Sequence, residues 1–127
     1  MAAPASSKLP ASIKNAEAAL VTHALSLPEA VEEWPWGDRA FKVRKKVFTF
    51  LVCSPEALKF TAKLRDSHAE ASHLPFTEAT GYGLGKAGWI TASFEPGEDV
   101  PVNLLKGWMV ESYKLIAPKK LCPQIGA

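Results

Sequence analysis

Between positions 42 and 65 the chain carries Lys42, Arg44, Lys45, Lys46, Lys59, Lys63 and Arg65 against a single carboxylate, Glu56. Cations at this density are suited to holding phosphate oxygens, and a clustered positive field steers a polyanion even when the whole molecule is close to neutral. The formal charge of the full chain is only +2 at pH 7, so the remainder is acidic and net charge alone argues for no nucleic-acid partner. The sequence Gly83-Leu84-Gly85-Lys86-Ala87-Gly88 spells G-x-G-x-x-G. A dinucleotide site needs a strand before that run and a helix after it, so that backbone amides aim at the pyrophosphate. A strand-like segment follows here instead, so the run is expected to be a connecting loop whose Tyr82 and Lys86 line a ligand-facing rim.

The other reactive side chains do not assemble by spacing. His68 and His73 lie five apart, about 140° around a helix, and His23 belongs to a different segment. With no thiolate or carboxylate cluster to complete a coordination sphere, neither a metal nor any other cofactor is expected. Cys53 and Cys122 are the only cysteines, too few for a disulfide framework, which suits a reducing compartment. Ser112 has no histidine and aspartate at a spacing that reads as a triad, so catalysis is not expected.

Several elements must position the cationic stretch. Residues 1–11 are small and proline-rich and are read as a disordered lead-in. Ser12 is a candidate cap for a helix in which Ile13, Ala16, Leu20, Ala24 and Leu27 recur at steps of three and four, stopped by Pro28. Trp34 and Trp36, two apart around Pro35, suit an edge strand. After the turn at Gly37-Asp38, Phe41 and Val43 lead through Arg44-Lys45-Lys46 into Val47–Cys53, a basic-tipped hairpin. Leu58, Phe60, Ala62 and Leu64 alternate with Lys59, Thr61, Lys63 and Arg65, which gives a strand with one apolar and one basic face. Ser67 and Glu70 match a capping box for a short helix ending near Leu74-Pro75. Trp89–Phe94 alternates as a half-buried strand. Beyond Asp99 and Pro101, Leu105, Trp108, Met109, Tyr113 and Ile116 form the stripe of a last helix closed by Pro118.

The expected architecture is an α+β, two-layer domain in the order α-β-β-β-β-α-β-α, an antiparallel sheet packed against N- and C-terminal helices. At 127 residues and 47% hydrophobic content, one domain over 12–120 with a tail at 121–127 is expected, monomeric and cytoplasmic. No apolar run approaches the roughly 20 residues that span a bilayer, and no export pattern opens the chain.

An ordered set of motifs adds to this reading. Leu27-Pro28, Pro35-Trp36-Gly37, Phe41-Lys42-Val43 with Lys46 and Phe48, the tyrosine and lysine of Gly81-Tyr82-Gly83-Leu84-Gly85-Lys86, then Gly88-Trp89, and Trp108 with Ser112-Tyr113 occur in sequence. Over residues 15 to 120 the chain resembles the MmcQ/YjbR family of small bacterial proteins of undefined molecular function. That resemblance implies a two-layer α/β fold similar in shape to a double-wing DNA-binding domain. Family members often have glycine in the hairpin turn where this chain has Arg44-Lys45, which leaves a longer or different turn open while adding charge at the tip. Two roles follow as expectations. The first is weak, non-specific binding of DNA or other nucleic acid by Lys42, Arg44, Lys45, Lys46, Lys59, Lys63 and Arg65 acting as one surface. The second is a non-catalytic interaction or small-ligand module built from Tyr82, Lys86, Trp89, Trp108, Ser112 and Tyr113.

Overall fold

The computed structural model describes residues 10–34, 38–80 and 87–124. Helix α1 (Ala11–Leu25) presents Ile13, Ala16, Leu20 and Ala24 to the core, as their three- and four-residue spacing requires. Six strands follow in one antiparallel sheet: β1 (Val31–Glu33), β2 (Arg39–Val43), β3 (Lys46–Ser54), β4 (Ala57–Lys63), β5 (Thr77–Ala79) and β6 (Trp89–Phe94), in spatial order β1-β2-β3-β4-β6-β5. Helix α2 (His68–Ser72) precedes β5, and α3 (Val102–Ile116) follows β6, before a closing 3₁₀ turn at Lys119–Gln124. The α+β class is as expected; the order α-β-β-β-β-α-β-β-α contains one strand more than the sequence reading.

Cross-strand register divides the sheet into two faces. Phe41, Thr49, Leu51, Leu58, Phe60, Ala62, Ile90, Ala92 and Phe94 share one face, and all of them are buried. Residues of all three helices join the same apolar cluster: Ile13 and Leu20 of α1, Ala71 of α2, and Leu105, Met109 and Tyr113 of α3. The opposite face has no helix over it among the described residues. It carries Lys42, Val47, Phe50, Val52, Lys59, Thr61, Lys63, Trp89, Thr91 and Ser93, most of them only partly buried.

Register between β2 and β3 slips between Phe41 and Lys42: Phe41 pairs with Thr49, but Lys42 pairs with Val47, which leaves Phe48 as the extra residue of a bulge. Beside this bulge the β3–β4 ladder ends at Thr49–Ala62, and α3 bridges the next pair of residues. Buried Ser112 donates its hydroxyl to the Phe48 carbonyl at 2.5 Å and accepts the Lys63 backbone N–H at 2.9 Å. Phe48 stacks edge-on against Tyr113, whose hydroxyl donates to the Pro28 carbonyl and ties α3 to the end of the α1–β1 connection.

Several local expectations are corrected by tertiary contacts. Pro10, not Ser12, stands at the start of α1, and the Ser12 hydroxyl instead accepts the Gly97 N–H at 3.0 Å. The helix ends at Leu25, before Pro28, with Leu27 still buried beneath it. The paired edge segment is Val31–Glu33, just ahead of Trp34; Trp36 lies outside the described residues. The Ser67–Glu70 capping box does not form, because Glu111 of α3 takes the Ser67 hydroxyl at 2.6 Å and also accepts the backbone N–H groups of Arg65 and Ser67.

Candidate nucleic-acid interface

The hairpin between β2 and β3 closes with a two-residue turn, since Val43 pairs directly with Lys46. Arg44 and Lys45 both have positive φ, 50° and 71°, as a type I′ connection demands. Glycine would adopt these angles without strain. Arg44 and Lys45 hold them at a steric cost, so the tight turn is kept while two charges are placed at its tip.

The register Thr49–Ala62 runs β3 and β4 antiparallel, which places Lys46 and the turn beside the Lys63 end of β4. Six of the seven cations named from the sequence therefore gather at this end of the sheet: Lys42, Arg44, Lys45, Lys46, Lys63 and Arg65. They do not act as one free patch. Lys42 donates to Glu33 at 3.1 Å, Arg44 grips both oxygens of Glu29, and Arg65 lies 3.5 Å from Asp66. The Arg44 contact holds the Glu29 carboxyl below its ordinary range and raises the guanidinium. Among the described residues Lys45, Lys46 and Lys63 have no carboxylate within ion-pair distance.

Lys59 sits apart from the rest. It lies four residues along β4 from Lys63, about 13 Å at the strand rise, and lines a cleft with Glu56, Glu95, Glu98 and Asp99. The helix-free face thus has a basic end at the hairpin and an acidic end at the β3–β4 turn. This polarity corrects the single seven-cation surface expected from chain order.

Beside the basic end lie two rings. Trp89 of β6 pairs with Lys63, and Phe50 of β3 pairs with Thr61, so the rings approach diagonally across β4 with centroids 6.1 Å apart and planes inclined at 56°. Next to them Thr91 shares hydrogen bonds of 3.0 Å with the hydroxyls of Thr61 and Thr80. The position of Trp89 depends on Gly88, whose φ is 99° and whose carbonyl accepts the Leu64 N–H at 2.9 Å. A Cβ there would lie 2.7 Å from the Leu64 oxygen. That requirement, rather than phosphate cradling, accounts for the last glycine of the G-x-G-x-x-G run, and a strand follows it as expected.

The second candidate surface is divided by the fold. Trp89 faces outward beside the lysines, whereas Trp108, Ser112 and Tyr113 lie beneath the sheet, with Ser112 and Tyr113 fully buried. Tyr82 and Lys86 fall outside the described residues. Burial is why a helical stripe read from the sequence is core and not a ligand rim.

The remaining reactive groups do not converge. Burial pushes the Cys53 thiol up to about 12, with Glu17 adding to the effect, so the thiol stays protonated and inert. Arg39 joins Glu17 at 3.0 Å and Glu32 at 2.8 Å under the Trp34 ring, 4.5 Å from its centroid, which ties β2 to α1 and the sheet edge. Burial and Lys106 lower the basicity of His23. Among the described residues no three His, Cys, Asp or Glu side chains form a group able to hold a metal ion, and no helix is long and apolar enough to cross a membrane. The residue that sequence reasoning missed is Glu111, whose backbone-binding role has no local signal because its partners lie more than forty positions away.

Comparison with known proteins agrees with this architecture. A sequence model of the family described as YjbR matches residues 25–115. The crystal structure of Deinococcus radiodurans protein DR2400, with a DUF419 domain, is similar at a TM-score of 0.61 and 21% identity, covering 83% of this chain and 83% of that one. No curated protein matches the chain.

Proposed function

The chain belongs to the YjbR family, and on that premise we propose that it is a non-catalytic module that binds nucleic acid weakly and with little sequence preference, through the hairpin end of the sheet. The observation that carries this reading is the gathering of Lys45, Lys46 and Lys63 at the hairpin end of the sheet with no carboxylate partner among the described residues. Cations already held by Glu33, Glu29 or Asp66 gain less from a phosphate, because the existing pair must first be broken. Free ammonium groups release condensed counterions when they neutralise phosphates, which is the main source of sequence-independent affinity. Phosphate contacts position a ligand without specifying its sequence.

Mapping backbone amide shifts during titration with a short oligonucleotide tests the location. Shifts are expected at Lys45–Val47, Lys63 and Trp89, with Lys59 and the buried residues of α3 unmoved. Shifts centred on Lys59, or on the cleft between α2 and α3, contradict the reading.

A further inference from the structure

Resting on the reading above, we propose that the ligand of this face is single-stranded nucleic acid, with bases stacked on Phe50 and Trp89 and neighbouring phosphates held by Lys63 and by Lys45 at the hairpin tip. The two rings lie on the face that no helix covers among the described residues, both only partly buried, and Lys63 is the cross-strand partner of Trp89. An aromatic side chain on a protein surface beside free cations is the arrangement that receives unpaired bases, since every base has a π-face and stacking tolerates any sequence. A duplex hides those faces in its own stack and offers only phosphates and groove edges, so the rings would contribute nothing to holding it. The inclination of 56° between the rings gives two separate stacking planes instead of one slot, which suits successive bases splayed on a sheet.

Charge supports the same choice. Among the described residues the hairpin end offers three lysines without a carboxylate partner, too few for tight duplex binding by phosphate contacts alone. The surface around the rings is also broken up by Lys63, Thr61 and Thr91, and so lacks the continuous apolar area that a folded protein partner would cover. Hydroxyls of Thr61 and Thr91, in the row that Phe50 occupies, and of Thr80, beside Trp89, add rotatable donors and acceptors at the edge of the ring pair.

The test is fluorescence anisotropy at low salt with labelled oligo-dT, oligo-rU, a duplex of equal length and heparin. It compares the parent chain with Phe50→Leu and Trp89→Leu, which keep apolar bulk but remove the ring, and with Lys63→Ala; thermal melts establish that each is folded. The parent is expected to prefer both single strands over the duplex by at least about fivefold, and each ring variant to lose about fivefold or more on single strands alone. Tryptophan emission is expected to be quenched by oligo-dT, and Trp89→Leu to remove much of that quench. Equal affinity for single strand, duplex and heparin, with ring variants unchanged and Lys63→Ala weakened, overturns the single-strand inference and leaves the nucleic-acid reading standing. Absence of any complex with every polymer overturns both.

Discussion

Replacing Ser112 with alanine is the most informative single perturbation of the scaffold. Its hydroxyl is fully buried and serves two backbone groups just past the end of the β3–β4 ladder, the Phe48 carbonyl at 2.5 Å and the Lys63 N–H at 2.9 Å. Alanine removes the one hydroxyl that partners both groups. An unsatisfied buried polar group costs about 1–3 kcal/mol, so two put the loss at about 2–6 kcal/mol. Against a total stability of about 5–15 kcal/mol this is a large fraction. For a domain of this size it corresponds to a Tm about 10 °C lower. Urea unfolding gives the loss directly, with an unchanged m-value showing that the denatured state is not responsible. Hydrogen exchange adds a local readout: protection of the Lys63 amide should fall more than that of Phe60. A loss under about 0.5 kcal/mol, or an undisturbed Lys63 amide, refutes the bridging role.

Three further outcomes follow from the same geometry. Burial opposes ionisation of Glu111, but hydrogen bonds from Ser67 and from the backbone of residues 65 to 67 outweigh it and hold the carboxyl below its ordinary value of 4.5. A depressed carboxyl stabilises the fold above the unfolded-state value and loses that contribution as pH falls through the folded one. Glu111→Gln should therefore cost about 1–2 kcal/mol at neutral pH and progressively less below pH ~4; a difference independent of pH contradicts this. Gly88→Ala places a Cβ 2.7 Å from the Leu64 oxygen at a φ of 99° and should lower stability by at least about 2 kcal/mol in urea, whereas a neutral result would mean the β4–β6 approach is looser than described. Lys45→Gly relieves a positive φ of 71° and should raise stability by about 0.5–1 kcal/mol after the entropy of the unfolded glycine is subtracted; a lower Tm would count against the strained turn.

Long-period signals were legible in the sequence. The three- and four-residue spacing from Ile13 to Ala24, the alternation from Leu58 to Leu64 and the stripe from Leu105 to Tyr113 all describe faces that bury against one core, and the structure buries them. The strand Thr77–Ala79 was not legible, because three residues carry no period and its pairing with β6 is set by the sheet beside it. The bulge at Phe48 was equally silent. One extra residue shifts strand parity, so counting by twos through Lys42–Cys53 cannot assign faces across it. For the candidate interface, the sequence located the cations but not their pairing. Glu29 meets Arg44 from fifteen positions away and Glu33 meets Lys42 from nine, while the acidic residues around Lys59 come from the β3–β4 turn and from beyond β6. Residue type left the turn open, because it is the pairing of the flanking strands that imposes positive φ on Arg44 and Lys45.

Salt dependence of single-strand binding tests the central claim most directly. With three lysines on phosphates, log affinity should fall against log salt with a slope of about −2, from roughly −0.7 per contact. The slope should shrink toward zero in a Lys45→Ala, Lys46→Ala, Lys63→Ala variant while Lys59→Ala keeps it. No complex at low salt, or equal losses from Lys59 and from the hairpin-end lysines, would contradict a binding surface at that end of the sheet.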